Sequence, residues 1–197
     1  MKFVVGNGNW GNEIREQTTA ISPAYWTEFQ PLGASEIAVI EREINRKLPE
    51  DFAEFLKTFG CGRFPAPFYG GFWPPKDILT GCVGALTIAL ALADIKDVSY
   101  EAIRRLYISR GAENPAPDRI TEDVFLLDDL NVLDLFIVGD DGACGYRALF
   151  VGRQPGPLGY CNIAPGPSIV DRAKDFSEGL ELMFASHSRI QELRRQR

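Results

Sequence analysis

The chain has 197 residues and a formal net charge of −6, with an isoelectric point near 4.9. That acidity disfavours nucleic acid and anionic membrane surfaces as principal partners, because both reward positive charge, and it suits a basic protein. Hydrophobic residues make up 45% and aromatics 11% of the chain, enough for one sizeable core with aromatics left over for a surface.

Residues 1–34 read as an N-terminal extension packed on a domain. Phe3-Val4-Val5 has the composition of a short edge strand, and Gly6-Asn7-Gly8-Asn9 that of a turn. The spacings of a phosphate-binding glycine loop are missing. Trp10, Tyr25, Trp26 and Phe29 are expected to cover the core. Met1–Asn7 has no apolar stretch of secretory length, so a cytoplasmic protein is expected.

The strongest pattern runs from Ser35 to Gly62. Ser35 and Glu36 suit a helix N-terminus, and Ile37, Ile40 and Ile44 fall on one helical face. Leu48 precedes a proline and must leave the helical region, whereas Pro49 suits a first helical turn. A second helix is therefore predicted from Pro49. Glu50 and Asp51 lie at its positive end, and Phe52, Phe55, Leu56 and Phe59 are spaced i, i+3, i+4, i+7. Gly60 and Gly62 can close it in left-handed geometry.

Phe64–Pro75 is rich in proline and glycine, which rules out a regular element. Its aromatics either fold back on the core or are displayed. Tyr69, Phe72 and Trp73 are the aromatics best placed for a protein interface, where such residues concentrate binding energy. Ile78–Gly111 reads as two helical pieces, with Leu86, Leu90 and Ala93 on one face and Ile103, Leu106 and Tyr107 on the next, and with Asp97 or Ser99 as the intervening cap. The uncharged run Ile78–Ala93 is shorter than a bilayer requires. Asn114-Pro115-Ala116-Pro117 is loop.

Asp118–Asp141 is strongly acidic and includes Asp128, Asp129, Asp134, Asp140 and Asp141. Three readings fit it: a solvated surface with turn aspartates, a patch that attracts a basic protein, or a divalent-cation site, for which the EF-hand spacing is lacking. Leu133–Val138 alternates with a two-residue period, Gly139–Gly142 is a turn, and Tyr146–Val151 and Leu158–Ile163 supply two more strands of an antiparallel meander. Pro165-Gly166-Pro167 is expected to end the sheet. Asp175 can cap a closing helix with Phe176, Leu180, Met183 and Phe184 on one face.

Four well-separated cysteines and one histidine offer no zinc set; the thiols are expected to be free and buried. His187, in Ala185-Ser186-His187-Ser188, reads as an exposed linker residue rather than a catalytic base, and no catalytic residue, metal or cofactor is assigned. The tail beyond it is basic.

The Ile-rich helix with Glu41 mid-face, Leu48-Pro49-Glu50-Asp51-Phe52, Phe55-Leu56 and the glycine-containing end resemble the opening of the SUKH superfamily, which includes Smi/Knr-type regulators and immunity proteins of bacterial toxin systems. The later Asp-Gly turn between strands and Val170-Asp171 leading through Phe176 into a helix are similar to its second half. Gly60-Cys61-Gly62 departs from the Asn-Gly usual there. The resemblance implies an α+β domain, helices on a mostly antiparallel sheet, over residues 35–184, with a helical insertion at about 78–119 and a basic tail at 185–197. It implies a non-enzymatic protein that neutralises a cognate toxin by direct binding. From the sequence itself, the residues expected to make that contact are Tyr69, Phe72 and Trp73 of the aromatic loop with Asp128, Asp129, Asp134, Asp140 and Asp141 of the acidic segment. A regulatory scaffold of the Smi/Knr type and a metal-dependent hydrolase using the carboxylates of residues 128–141 are the alternatives.

Overall fold

A computed structural model describes residues 9–92, 99–110, 126–127, 130–151 and 159–196. In chain order these form α1 (Trp10–Ile21), α2 (Ala34–Ile44), α3 (Glu50–Thr58), β1 (Gly62–Arg63), β2 (Gly71–Phe72), α4 (Pro75–Leu92), α5 (Tyr100–Arg110), β3 (Leu126–Leu127), β4 (Leu130–Asn131), β5 (Leu135–Asp140), β6 (Tyr146–Phe150), β7 (Tyr160–Ala164), β8 (Ser168–Ala173) and α6 (Phe176–Arg195). The expected strand at Phe3–Val5, the turn over Gly6–Gly8, the Asp97 cap, the loops at 114–117 and 152–157, and Asp128 and Asp129 all lie outside the described residues.

The α+β class expected from the sequence is the one observed. One six-stranded sheet has the order β1-β2-β5-β6-β7-β8, and every neighbouring pair is antiparallel. β3 and β4 pair separately. β5 is buried from Leu135 to Gly139, so both of its faces are covered; α4 lies against it. α6 packs on β7 and β8.

The α2–α3 corner follows from its sequence. α2 starts one residue before Ser35, with Gly33 in the capping position, and the Glu36 carboxylate accepts the Gly33 N–H at 2.8 Å. It ends at Asn45, in the left-handed region at φ 52°. Glu41 then closes the corner by accepting the Leu48 N–H at 3.1 Å. Pro49 caps α3 from just outside it. Asp51 accepts the Phe52 N–H at 2.9 Å and, through its other oxygen, the Ser177 N–H at 3.1 Å, so one carboxylate joins the starts of α3 and α6. Phe52, Phe55, Leu56 and Phe59 are all essentially inaccessible. Phe55 packs against Phe52, Phe59, Phe72 and Phe176; such aromatic contacts add roughly 0.5–1.5 kcal/mol per pair to area burial.

Four expectations need correction. The proline- and glycine-rich Phe64–Pro75 does contain a regular element, because Gly71–Phe72 pairs with β1 and β5. α1 was not foreseen, because its inward face carries Thr18 between Ile14 and Ile21. Thr18 is buried, donates to the Ile14 carbonyl at 2.7 Å and accepts the Trp26 indole N–H at 2.7 Å, so a polar residue fills an apolar slot with its bonds satisfied. Pro165-Gly166-Pro167 does not end the sheet. Gly166, at φ +105°, turns the chain back into β8. The segment after Phe184 is not a linker either, since α6 continues to Arg195.

α4 and α5 match the predicted helical pieces, and the Ser99 hydroxyl accepts the Ala102 N–H at 3.2 Å at the start of α5. Ile78, Cys82, Val83, Leu86 and Leu90 of α4 belong to the same core as α3. Among the described residues no helix is long and apolar enough to cross a membrane.

Candidate functional site

The aromatic loop and the acidic turn meet. β2 pairs with the end of β5, placing Gly71 opposite Asp140. The Trp73 N–H donates to the Val138 carbonyl at 2.8 Å, and its indole N–H to the Asp140 carboxylate at 3.2 Å. The Trp73 ring packs edge-on to Tyr146, with centroids 6.2 Å apart. Gly142, at φ +77°, lies so close to Tyr69 and Gly70 that a Cβ there would sit 2.6 Å from each. Tyr69 itself is 56% exposed, with φ +51°. A non-glycine residue in the left-handed region carries strain and often marks a functional position.

The two aspartates also build the turn. Asp140 accepts the Gly142 N–H at 3.0 Å, and Asp141 accepts those of Ala143 and Gly145, both at 2.8 Å. These are the nested side-chain turns that aspartate favours. Both side chains keep their charge unpaired: no lysine or arginine among the described residues is within ion-pair distance of either.

Of the residues singled out from the sequence, Tyr69, Trp73, Asp140 and Asp141 come together. Phe72 does not join them. It is 3% exposed, and its ring faces Phe55 and Phe176, because β2 turns this position inward. Asp134 is also misplaced, lying before Leu135 at the opposite end of β5 from Asp140, roughly 20 Å away at the rise of an extended strand. It cannot share one ion with Asp140, which removes that pair from the hydrolase reading. Among the described residues no group of three metal-ligating side chains is clustered.

A second polar assembly was not foreseen. His187 is buried, not exposed, with Nδ1 2.5 Å from the Tyr25 hydroxyl and its ring stacked on Phe68 at 4.7 Å. It occupies the inward face of α6 one turn after Met183. Burial, helped by the Arg147 charge, pushes its pKa down to about 3, so the imidazole is neutral. Burial, partly offset by Arg147, drives the Tyr25 hydroxyl well above its ordinary value.

Arg147, the second residue of β6, is 3% exposed. Its Nε donates to the Asp140 carbonyl at 3.1 Å, and Nη1 to the Tyr160 hydroxyl at 3.4 Å. The Tyr160 hydroxyl in turn donates to Asn162 at 2.9 Å. These groups border a cavity of about 260 Å³ between α6 and β6–β8, with Asp141 and Asp171 at its edge. Nothing in the sequence around Arg147 separates it from an ordinary strand residue; the set is assembled only when α6 and two loops pack against the paired strands.

Cys61, Cys82 and Cys161 are buried, and burial pushes their thiols up to about 12, 11 and 12 respectively. Cys144 departs from the expectation of burial and is exposed at the tip of the acidic turn. The chain matches no known family model and no curated protein.

Proposed function

We propose that this chain acts by binding a basic protein, without catalysis, through the surface that Tyr69, Trp73, Asp140 and Asp141 share. The single observation behind this reading is the Trp73–Asp140 hydrogen bond, which fuses an aromatic loop and an uncompensated acidic turn into one patch. An exposed Tyr69 ring on a loop that packs on the turn bearing two unpaired carboxylates has the character of a binding hot spot with electrostatic steering. The raised thiol pKa values of Cys61, Cys82 and Cys161 and the neutral, buried His187 support a non-catalytic role for these four groups, since thiolates are the nucleophilic form. The resemblance to SUKH proteins supports reading the partner as a toxin and the chain as a cytoplasmic immunity protein.

The test is co-expression with the product of the adjacent reading frame, scored by growth and by affinity. Tyr69→Gly removes the ring while relieving the left-handed backbone. It is expected to weaken binding by about 2 kcal/mol, roughly thirtyfold, with stability unchanged or slightly raised. Replacing Asp140 and Asp141 by asparagine keeps the turn acceptors and removes the charge; it is expected to slow association and flatten its salt dependence. Wild-type rescue and affinity from both variants would contradict the reading.

A further inference from the structure

The cavity beside Arg147 carries a second inference, which shares Asp141 alone with the surface patch. A guanidinium has five N–H donors. Two of the Arg147 nitrogens have partners, both neutral, and the Nη1 bond is long. The Phe64 and Phe72 rings stand 5.7 and 6.0 Å from the guanidinium carbon, at the outer limit of a useful cation–π contact. No carboxylate among the described residues is within 4 Å of it. A charge this buried with no counter-ion costs several kcal/mol, and here it borders a space that a ligand can enter.

Two carboxylates border the same space without reaching the arginine. Asp141 is fixed by the acidic turn. Asp171 sits where β7 and β8 slip register, between Tyr160↔Ala173 and Asn162↔Val170. Its φ is +49°, and its carboxylate accepts from the Asn162 amide at 2.9 Å. Bulges of this kind re-aim side chains next to binding sites, and a left-handed aspartate is held there at some cost. Leu182, Met183 and Ile190 of α6 supply an apolar wall. The site therefore offers one positive centre, two negative ones and a greasy side within about 260 Å³, just below the usual range for drug-sized ligands.

We propose that this cavity binds a small zwitterion of the α-amino-acid class, with its carboxylate on Arg147, its ammonium on Asp141 and Asp171, and an aliphatic side chain against α6. His187, neutral and anchored to Tyr25, presents its remaining ring nitrogen as a hydrogen-bonding group rather than a charge.

Thermal unfolding and calorimetric titration of the full chain test this, with L-leucine and L-methionine as probes and acetate and ethylammonium as single-charge controls. At about a hundred times its Kd, either amino acid is expected to raise Tm by roughly 5–10 °C, and each control far less. Arg147→Met, which keeps the apolar stem, is expected to abolish binding. Asp171→Asn, at an exposed position, is expected to weaken it about tenfold or more through loss of a charge-assisted contact, and serves if the arginine variant does not fold. Absence of any shift with both amino acids would overturn the proposal. So would a full shift with acetate alone, or undiminished binding by Asp171→Asn.

Discussion

Gly60→Ala is expected to destabilise the protein by more than about 4 kcal/mol, a size reserved for a few identifiable mechanisms. Two act together here. Gly60 closes α3 at φ +87°, where a Cβ is strained. That Cβ would also fall 1.6 Å from the Gln30 carbonyl oxygen and 2.1 Å from its carbon, both backbone atoms. Gln30 has no room to yield. Its N–H and carbonyl form two bonds with Cys61, at 2.9 and 3.1 Å, and the Leu32 N–H donates to the Leu56 carbonyl at 2.9 Å. Moving this segment would break those bonds and lift Phe29 and Leu32 off the core. In a domain of this size the loss corresponds to a Tm drop of roughly 8–16 °C. Gly166→Ala is the control. Its φ is +105°, but nothing lies within 4 Å of the added Cβ, so only the conformational cost of about 1–2 kcal/mol applies. Equal losses from the two variants, read by denaturant unfolding, would contradict the close approach at Gln30.

The second large effect is on pH dependence. His187 has a folded pKa near 3, below its ordinary value of 6.5. As pH falls through 6.5 the unfolded chain takes up a proton that the folded chain refuses, so stability is lost progressively between pH 6.5 and about 3. Between pH 6.5 and 4.5 the loss is roughly 2 kcal/mol at 1.36 kcal/mol per unit, since the unfolded imidazole is already half protonated at pH 6.5. Asp51 opposes this. Burial above all raises its carboxyl pKa, against the hydrogen bonds from Ser177 and Phe52, so it takes up a proton more readily when folded. The clean measurement is therefore a difference. His187→Gln keeps a partner for the Tyr25 hydroxyl and does not titrate; its stability is expected to fall less than that of wild type over the same range. Parallel curves would show that the imidazole is not held neutral by the fold.

The α3 face was readable because every inward position is Phe or Leu and the period is unbroken. The same rule failed wherever a polar side chain stands on an inward face with its bonds satisfied. Thr18 concealed α1, and His187 concealed the last turns of α6. β8 was hidden for another reason: a bulge at Asp171 and Arg172 leaves three consecutive exposed residues, Val170 to Arg172, and the alternation disappears. At the surface patch, the chemistry of Tyr69, Trp73, Asp140 and Asp141 was visible, but their adjacency was not, because it depends on pairing Gly71 with Asp140. Phe72 was misread for the same cause: its inward direction is set by that pairing and not by the loop composition around it. The Arg147 cavity had no local signal, since three strands, a helix and two loops each contribute to it.

One patch, built from residues near 70 and near 140, is the place where the protein is proposed to meet its partner. Amide hydrogen exchange of the chain, alone and saturated with the product of the adjacent reading frame, tests that most directly. Strong new protection is predicted over residues 64–74 and 138–146, with little change along the outer face of α2. Binding that leaves both segments unprotected, or that protects α2 instead, would contradict it.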